Sequence, residues 1–124
     1  MSLILIVEDN EQNLKLARDV LQAKGYQTME AGTGEEGVHL AQRSKPDLVL
    51  MDIQLPGING IEALKQLRGD PRTARIPVAA FTASVTPTDR SKITQAGFDA
   101  FLSKPINLKE FVETVKRLVE AGPR

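Results

Sequence analysis

Five short apolar runs, separated by longer segments with helical spacing, constrain the fold of this chain more than any other feature. The runs cover residues 3–7, 27–31, 48–51, 78–81 and 100–102. The first, third and fourth are apolar almost throughout, as expected of parallel strands that are covered on both faces. The second run mixes polar and apolar residues, and it is therefore predicted to lie at an edge of the sheet.

The four segments between these runs and the segment after the last one predict five helices, because residues recur in four of these segments at the spacing of an amphipathic helix. The second helix is predicted over residues 35–43, and Pro46 is expected to prevent its continuation. The apolar stripes comprise Leu14, Ala17, Val20 and Leu21 in the first helix, Val38, Leu40 and Ala41 in the second, and Phe111, Val115, Leu118 and Val119 in the fifth. The third helix is indicated by the spacing of Ile61, Leu64, Lys65 and Leu67.

Residues that favour helix ends mark several boundaries. Gly25 is expected to end the first helix, because glycine readily takes a positive φ. Thr86 and Pro87 predict an N-cap and the first position of the fourth helix. Asn107 is the predicted N-cap of the last helix, and residues 122–124 are expected to form a frayed end.

The alternation of strands and helices predicts an α/β fold with a parallel sheet. Right-handed crossovers would produce a flavodoxin-like (βα)5 three-layer sandwich with strand order 2-1-3-4-5. A chain of 124 residues has the length of one typical domain. We therefore expect residues 1–124 to form a single domain with no output domain.

Composition excludes several classes of function. Sixteen basic and sixteen acidic residues balance, so the chain lacks the electrostatic signature of a nucleic-acid binder or of a protein that binds anionic membranes. The absence of cysteine excludes disulfides, thiolate zinc sites and cysteine nucleophiles. No segment approaches the ~20 apolar residues that cross a bilayer. We expect a soluble, cytoplasmic monomer without membrane insertion.

Acidic residues follow two strands that are predicted to be neighbours. Glu8 and Asp9 follow the first apolar run, and Asp52 closes the third. Adjacent strands lie about 4.8 Å apart, so Asp9 and Asp52 can reach one small ion together. Three carboxylates so close together repel one another unless a cation is bound, and Mg²⁺ prefers such oxygen ligands. The pattern predicts a magnesium site, with Glu8 acting through water and Mn²⁺ as a possible substitute.

Two further residues are predicted to lie at the same edge of the sheet. Lys104 follows the fifth run, and Thr82 ends the fourth. An ammonium group would compensate the charge of a phosphoryl group there, and the threonine would place a hydroxyl beside it. The crevice beyond the carboxyl ends of parallel strands is where ligands bind in such folds.

The complete pattern resembles the receiver domains of bacterial response regulators, which are CheY-like, and the resemblance covers the whole chain. The matching segments are residues 4–10, residues 46–57 with Gly60, Thr82–Ala83 and Lys104–Pro105. Residues 7–10 followed by Asn13, together with residues 51–56, are most similar to single-domain regulators of the DivK type and to the receivers of hybrid kinases.

The resemblance implies that Asp52 accepts a phosphoryl group from a phosphohistidine on a sensor histidine kinase or a histidine-phosphotransfer protein. It implies Mg²⁺ on Asp9, Asp52 and the backbone carbonyl of Gln54. Lys104 would bind the phosphoryl oxygens, and Thr82 would hydrogen-bond one of them after transfer. The protein would then catalyse only its own phosphorylation and dephosphorylation. It would signal through phosphorylation-dependent protein binding or onward phosphotransfer.

The resemblance also assigns a switch. Thr82 would move toward the phosphoryl group, and Phe101 would take the space that it leaves. Gln54 and Ser84 occupy the positions that tune the lifetime of the acyl phosphate. His39 is predicted to be an ordinary surface residue.

The start of the first helix lies beside the acidic edge, so its residues are predicted to help dock the phosphodonor. These residues are Gln12, Asn13, Leu14 and Leu16.

Three other functions share parts of this pattern. A degenerate receiver could act as a phosphorylation-independent interaction module. A phosphohydrolase of the haloacid-dehalogenase type would need an acid two residues after the nucleophile, where Gln54 stands. A flavodoxin-like cofactor binder would need a phosphate loop after the first strand, whereas the acidic residues 8–11 would repel phosphate without a metal.

Overall fold

Five parallel strands form one sheet in the computed structural model, which describes residues 2–82 and 87–124 and, for residues 87–89, the backbone alone. The strands are β1 (Leu3–Val7), β2 (Gln27–Ala31), β3 (Leu48–Asp52), β4 (Val78–Thr82) and β5 (Ala100–Ser103). Their order across the sheet is β2-β1-β3-β4-β5, which confirms the predicted topology. The mixed strand β2 is at an edge, as its sequence predicts.

Five helices connect and follow the strands in the described part of the chain. They are α1 (Glu11–Ala23), α2 (Gly34–Ser44), α3 (Gly60–Arg68), α4 (Pro87–Ala96) and α5 (Leu108–Ala121). Four of them begin with a side chain that accepts the N–H of the residue three positions later, namely Asn10, Thr33, Asn59 and Asn107. The predicted cap at Asn107 is thus confirmed, whereas Thr86 and Ser84 lie outside the described residues.

The helices cover both faces of the sheet, which makes three layers. Alternate strand residues point to opposite faces, so Ile4 and Ile6 pack with α1 and α5, while Leu5 and Val7 pack with α2 and α3. Strands β3 and β4 are buried along their whole length, which is why their sequences are apolar runs. Among the described residues, no helix has both the length and the apolarity to span a membrane.

The structure adds one detail to the sequence analysis and corrects another. The buried residues of the third helix, α3, are Gly60, Ala63, Leu64 and Leu67, whereas Lys65 is exposed. The end of the chain is not frayed. The Arg124 backbone N–H donates to the Arg75 carbonyl at 2.8 Å, and the Arg124 guanidinium pairs with Asp99 at 3.0 Å. Neither contact follows from local sequence.

The strands end together at one edge of the sheet. Val7 pairs with Met51, Asp52 with Phe81, and Thr82 with Ser103, so the residues that follow β1 and β5 lie beside Asp52. The backbone N–H of Lys104 donates to the Thr82 carbonyl at 2.7 Å and continues the sheet by one residue. The peptide bond between Lys104 and Pro105 is cis.

A glycine lets α3 begin directly against β3. A Cβ on Gly60 would lie 2.3 Å from the Asp52 carbonyl oxygen and 2.9 Å from the Ile53 Cα. Both of these are backbone atoms that cannot move aside independently. Gly60 therefore allows the loop between β3 and α3 to be short, and this loop starts at the carboxylate that the sequence singles out.

Replacement of Phe111 by alanine should destabilise the fold strongly. Phe111 is 1% exposed and packs against Phe81 with ring centroids 6.3 Å apart. Phe→Ala changes in cores cost about 3–5 kcal/mol. Urea unfolding should show this loss, whereas Leu108→Ala in the same helix, where the side chain is 50% exposed, should cost less than about 1 kcal/mol. Equal losses for the two variants would contradict the assigned core.

Candidate functional site

Asp52 is a buried carboxylate with a donor on each oxygen. It ends β3 and is only 4% exposed. Its Oδ1 accepts the backbone N–H of Gln54 at 3.1 Å, and its Oδ2 accepts a hydrogen bond from Lys104 Nζ at 3.2 Å. The first contact holds the start of the following loop, and the second joins β3 to the end of β5. The carboxylate is thus held in one orientation.

Lys104 lies between two carboxylates and an aromatic ring. Its Nζ atom is 2.5 Å from Glu8 Oε2, 3.2 Å from Asp52 Oδ2 and 4.9 Å from the centroid of the Phe81 ring. The side chain is 10% exposed. A cation over the face of an aromatic ring is attracted by the ring quadrupole. The ammonium is therefore stabilised in a buried position by two anions and by Phe81.

Glu8 is the most strongly perturbed carboxyl group of the site. Burial raises the pKa of Glu8 from 4.5 to about 7, and the neighbouring Asp52 adds to the rise. The Lys104 ammonium and the Asn10 N–H, which donates to Glu8 Oε1 at 3.1 Å, oppose it. Although Lys104 Nζ is close, Glu8 Oε2 accepts no well-aligned hydrogen bond among the described residues.

Three carboxylates could hold one cation. Glu8, Asp9 and Asp52 each present an oxygen, and these oxygens all lie within 4.8 Å of one another. Asp9 is exposed, whereas the other two are buried. One ammonium cannot balance three carboxylates, and Glu8 Oε2 has no well-aligned hydrogen-bond donor in the part of the chain that the structure describes. An all-oxygen set of this kind fits a hard divalent cation such as Mg²⁺.

The two predicted switch residues lie on neighbouring strands. Thr82 ends β4 and is 2% exposed. Phe101 lies one strand further out, on β5, and is half-buried. The Arg90 guanidinium lies 5.1 Å from the centroid of its ring. Movement of either side chain stays a prediction.

Comparison with known proteins decides the family. The sequence profile of the response regulator receiver domain matches residues 4–116. This chain belongs to the response-regulator receiver family. The polar-differentiation response regulator DivK of Brucella anthropi is 47% identical over 113 residues, which cover 91% of this chain and 92% of DivK.

Two solved structures have the same fold as this receiver domain. One is the receiver domain of a sensor histidine kinase from Pseudomonas aeruginosa PAO1, with a magnesium ion coordinated in its active-site cleft. It superposes with a TM-score of 0.89 at 32% identity and covers 96% of this chain and 98% of its own. The other is the chemotaxis protein CheY4 of Vibrio cholerae, with a TM-score of 0.88, 25% identity and coverage of 95% and 98%.

The members of the receiver family share several general properties. Receiver domains are signalling proteins rather than conventional enzymes. They interact with histidine kinases or phosphotransfer proteins, and they bind Mg²⁺ at an acidic pocket. The acidic cluster of Glu8, Asp9 and Asp52 is the corresponding pocket candidate in this receiver domain.

The predicted docking residues lie on the first two turns of α1, beside the acidic edge. Gln12 and Leu16 are exposed, with Leu16 at 41%, while Asn13 and Leu14 are half-buried. Leu14 packs against the core between α1 and the sheet, so it offers less free surface than Leu16. His39 is exposed on α2, as predicted.

Sequence reasoning missed three contacts of this receiver domain. It assigned Glu8 to a metal alone, whereas the side chain also pairs with Lys104. It gave no role to Phe81 beneath Lys104, or to Arg90 over Phe101. Phe81 could have been noticed because it is opposite Asp52 in the predicted strand order. No sequence signal reveals the pairing of Arg90.

Because the pKa of Glu8 is raised in the folded protein, the free energy of unfolding should fall as pH rises. The folded protein holds this proton more tightly than the unfolded chain, so the stabilisation is complete below pH 4.5 and is lost as pH rises to about 7. In metal-free buffer, wild type should lose on the order of 3 kcal/mol relative to Glu8→Gln over this range. Urea unfolding of both proteins at several pH values checks this, and parallel pH curves would contradict it. A carbon-NMR titration of the Glu8 carboxyl group should have its midpoint at about pH 7.

Proposed function

We propose that this receiver domain acts in two-component phosphorelay signalling and accepts a phosphoryl group on Asp52 from a phosphohistidine. The donor would be a sensor histidine kinase or a histidine-phosphotransfer protein. One observation carries the proposal. A buried carboxylate at the end of β3 contacts a buried ammonium at 3.2 Å and lies within a cluster of three acids. The 47% identity to DivK, a response regulator by name, supports it.

The chemistry of Asp52 needs positioning rather than a general base, because an ionised carboxylate is already nucleophilic. One Asp52 oxygen would form a bond to phosphorus as the bond from phosphorus to the histidine nitrogen breaks. The electron pair of that bond leaves on the imidazole. The Gln54 N–H on Oδ1 orients the carboxylate before the donor arrives.

The acidic cluster would hold Mg²⁺ through Asp9, Asp52 and the backbone carbonyl of Gln54, with Glu8 contributing through a water molecule. Mn²⁺, which has similar oxygen preferences, could replace it. The chemistry that the ion supplies when bound is relief of the repulsion between the carboxylate and an anionic donor. Glu8 and Asp52 contribute by presenting oxygens from neighbouring strands that the sheet keeps at a constant separation.

Lys104 and Thr82 would bind the phosphoryl group after transfer. The Lys104 ammonium already contacts Asp52 Oδ2, so it could move to a phosphoryl oxygen on that side chain with a small displacement. The Thr82 hydroxyl would donate to another oxygen. Phosphorylation and later hydrolysis would be reactions of the protein on itself, with Gln54 exposed beside the acyl phosphate.

The signal would then reach a protein-binding surface through Thr82 and Phe101. Movement of Thr82 toward the phosphoryl group would leave space for Phe101, which is half-buried in the structure. Two packings of one side chain, biased by contacts made in only one of them, constitute a switch. The output would be phosphorylation-dependent protein binding or onward phosphotransfer.

Asp52→Asn should abolish phosphorylation. After incubation with Mg²⁺ and a small acyl-phosphate donor, wild type should gain the mass of one phosphoryl group, and hydroxylamine should remove it. Asp52→Asn should show no adduct, because an amide is a far weaker nucleophile than a carboxylate. Asp19→Asn, at an aspartate whose side chain is 55% exposed, is the matched control and should be phosphorylated like wild type.

The other outcomes separate the alternatives. A wild-type protein that forms no adduct with small donors or phosphorylated partners would instead be a phosphorylation-independent interaction module. Repeated turnover of phosphate monoesters would indicate an aspartate-dependent phosphohydrolase. Either result would refute the proposed phosphorelay function.

We also propose that the start of α1, with Gln12, Asn13, Leu14 and Leu16, docks the phosphodonor. The exposed Leu16 lies two turns from Asn10, which caps α1 immediately beyond the acidic pair. Burial of this apolar side chain against a partner would favour docking, because removal of apolar surface from water drives association.

Leu16→Arg should slow transfer from a phosphorylated histidine-phosphotransfer protein by at least about tenfold, because the charge would be buried in the interface. The rate with a small acyl-phosphate donor should not change, since that donor needs no docking surface. Gln66→Arg, an equivalent charge on the exposed face of α3, should leave both rates unchanged. Equal transfer rates for wild type and Leu16→Arg would exclude this surface.

A further inference from the structure

The loop between β3 and α3, residues 53–59, is held firmly at its two ends. The Ile53 N–H donates to the Phe81 carbonyl at 3.3 Å, and the Ile53 carbonyl accepts the Gly60 N–H at 3.0 Å. Asn59 caps α3 through the Glu62 N–H at 2.9 Å. Between these ends lies Gln54, whose N–H contacts Asp52. Within this span, the side chains of Leu55 and Ile58 pack against the core between the sheet and helices α2 and α3.

A polar attachment of the same span comes from Glu35 in the first turn of α2. Glu35 Oε1 accepts the Ile58 N–H at 3.3 Å. At Gly57, which has φ of +77°, an added Cβ would lie 2.5 Å from both carboxylate oxygens of Glu35. The carboxylate therefore occupies space that a side chain at position 57 would fill. A glycine with positive φ and a carboxylate from another helix fit together there.

Gly34, the residue before Glu35, also lies very close to the loop. A Cβ on Gly34 would lie 2.7 Å from Ile58 Cγ1 and 2.7 Å from the Ile58 carbonyl oxygen. Two consecutive residues of α2 thus touch two consecutive residues of the loop. The start of α2 is itself held by the Thr33 cap, whose hydroxyl accepts the Glu36 N–H at 3.1 Å. A rigid helix end supports the loop.

We infer that Glu35 is a positioning residue for the phosphorylation site, acting through the Ile58 N–H to hold the loop that presents Gln54 to Asp52. The inference rests on the proposed function. Without the Glu35 acceptor, the loop loses the hydrogen bond at Ile58, which lies between the two held ends of the loop. The Gln54 amide and carbonyl, which lie in that span, then sample more positions. Glu35 itself touches neither Asp52 nor a phosphoryl group.

Glu36 provides a control that distinguishes the positioning role of Glu35 from a general effect of negative charge. Acidic residues in the first turn of a helix stabilise it through the helix dipole, and both Glu35 and Glu36 are placed to do so. Among the described residues, Glu36 contributes a backbone N–H to the Thr33 cap, and its side chain makes no hydrogen bond or ion pair. Glu36→Ala removes the same charge from the same helical turn without touching the loop.

The test compares Glu35→Ala, Glu35→Gln, Glu36→Ala and wild type, all unphosphorylated. Calorimetric titration with MgCl₂ measures Mg²⁺ affinity, and NMR measures amide exchange of Ile58 and Gln54 in metal-free buffer. Glu35→Ala should bind Mg²⁺ about three- to tenfold more weakly, the effect of one hydrogen bond on an equilibrium constant, and should exchange both amides faster. Glu35→Gln keeps an acceptor oxygen and should stay within about twofold of wild type, as should Glu36→Ala.

Three results would overturn the inference. These are wild-type Mg²⁺ affinity in Glu35→Ala, equal weakening in Glu36→Ala, and no rescue by Glu35→Gln. Thermal unfolding of each variant shows whether the fold is intact, and a purely structural role would lower the unfolding temperature of Glu35→Ala without weakening its Mg²⁺ binding. If wild type forms no acyl phosphate, the proposed function fails, while Mg²⁺ affinity and amide exchange still decide the role of Glu35 in holding the loop.

Discussion

Charge compensation at the carboxyl edge of the sheet is the interaction on which the rest of the site depends. Lys104 places its ammonium against Glu8 and Asp52, and all three groups are largely removed from water. Burial of an ion costs several kcal/mol unless opposite charge and hydrogen bonds compensate it. Strands β1, β3 and β5 must therefore end at the same level. A shift of one residue in any of them would turn its charged group toward the other face of the sheet.

The Lys104 ammonium does not fully compensate the negative charge of the acidic cluster. The site therefore favours binding of a further positive charge. One ammonium faces three carboxylates, and burial of Glu8, with Asp52 beside it, raises its pKa to about 7. A proton or a divalent cation can relieve the same excess of negative charge. The surrounding backbone holds the groups in place, since Gly60 brings α3 against the Asp52 carbonyl and Gln54 donates to its carboxylate.

Much of the fold and part of the site could be predicted from the sequence. The apolar runs indicated the strands because buried strands have no solvent-exposed face. Asp9, Asp52 and Lys104 could be placed at one edge because parallel strands end together there. The pairing of Glu8 with Lys104, and of Arg90 with Phe101, could not be predicted, because long side chains choose among several partners within reach. The contact of Arg124 with Asp99 joins distant segments and has no local signal.

The sequence by itself determined the order of strands and helices, the family, and which acids lie at the edge of the sheet. Each of these depends on periodicity or on residues at strand ends, which are local properties of the chain. Only the tertiary structure decided that Glu8 shares Lys104 with Asp52, that Phe81 lies beneath this ammonium, and that Glu35 supports the loop beside Asp52. These contacts join segments far apart in sequence, and their distances are set by how the helices pack on the sheet.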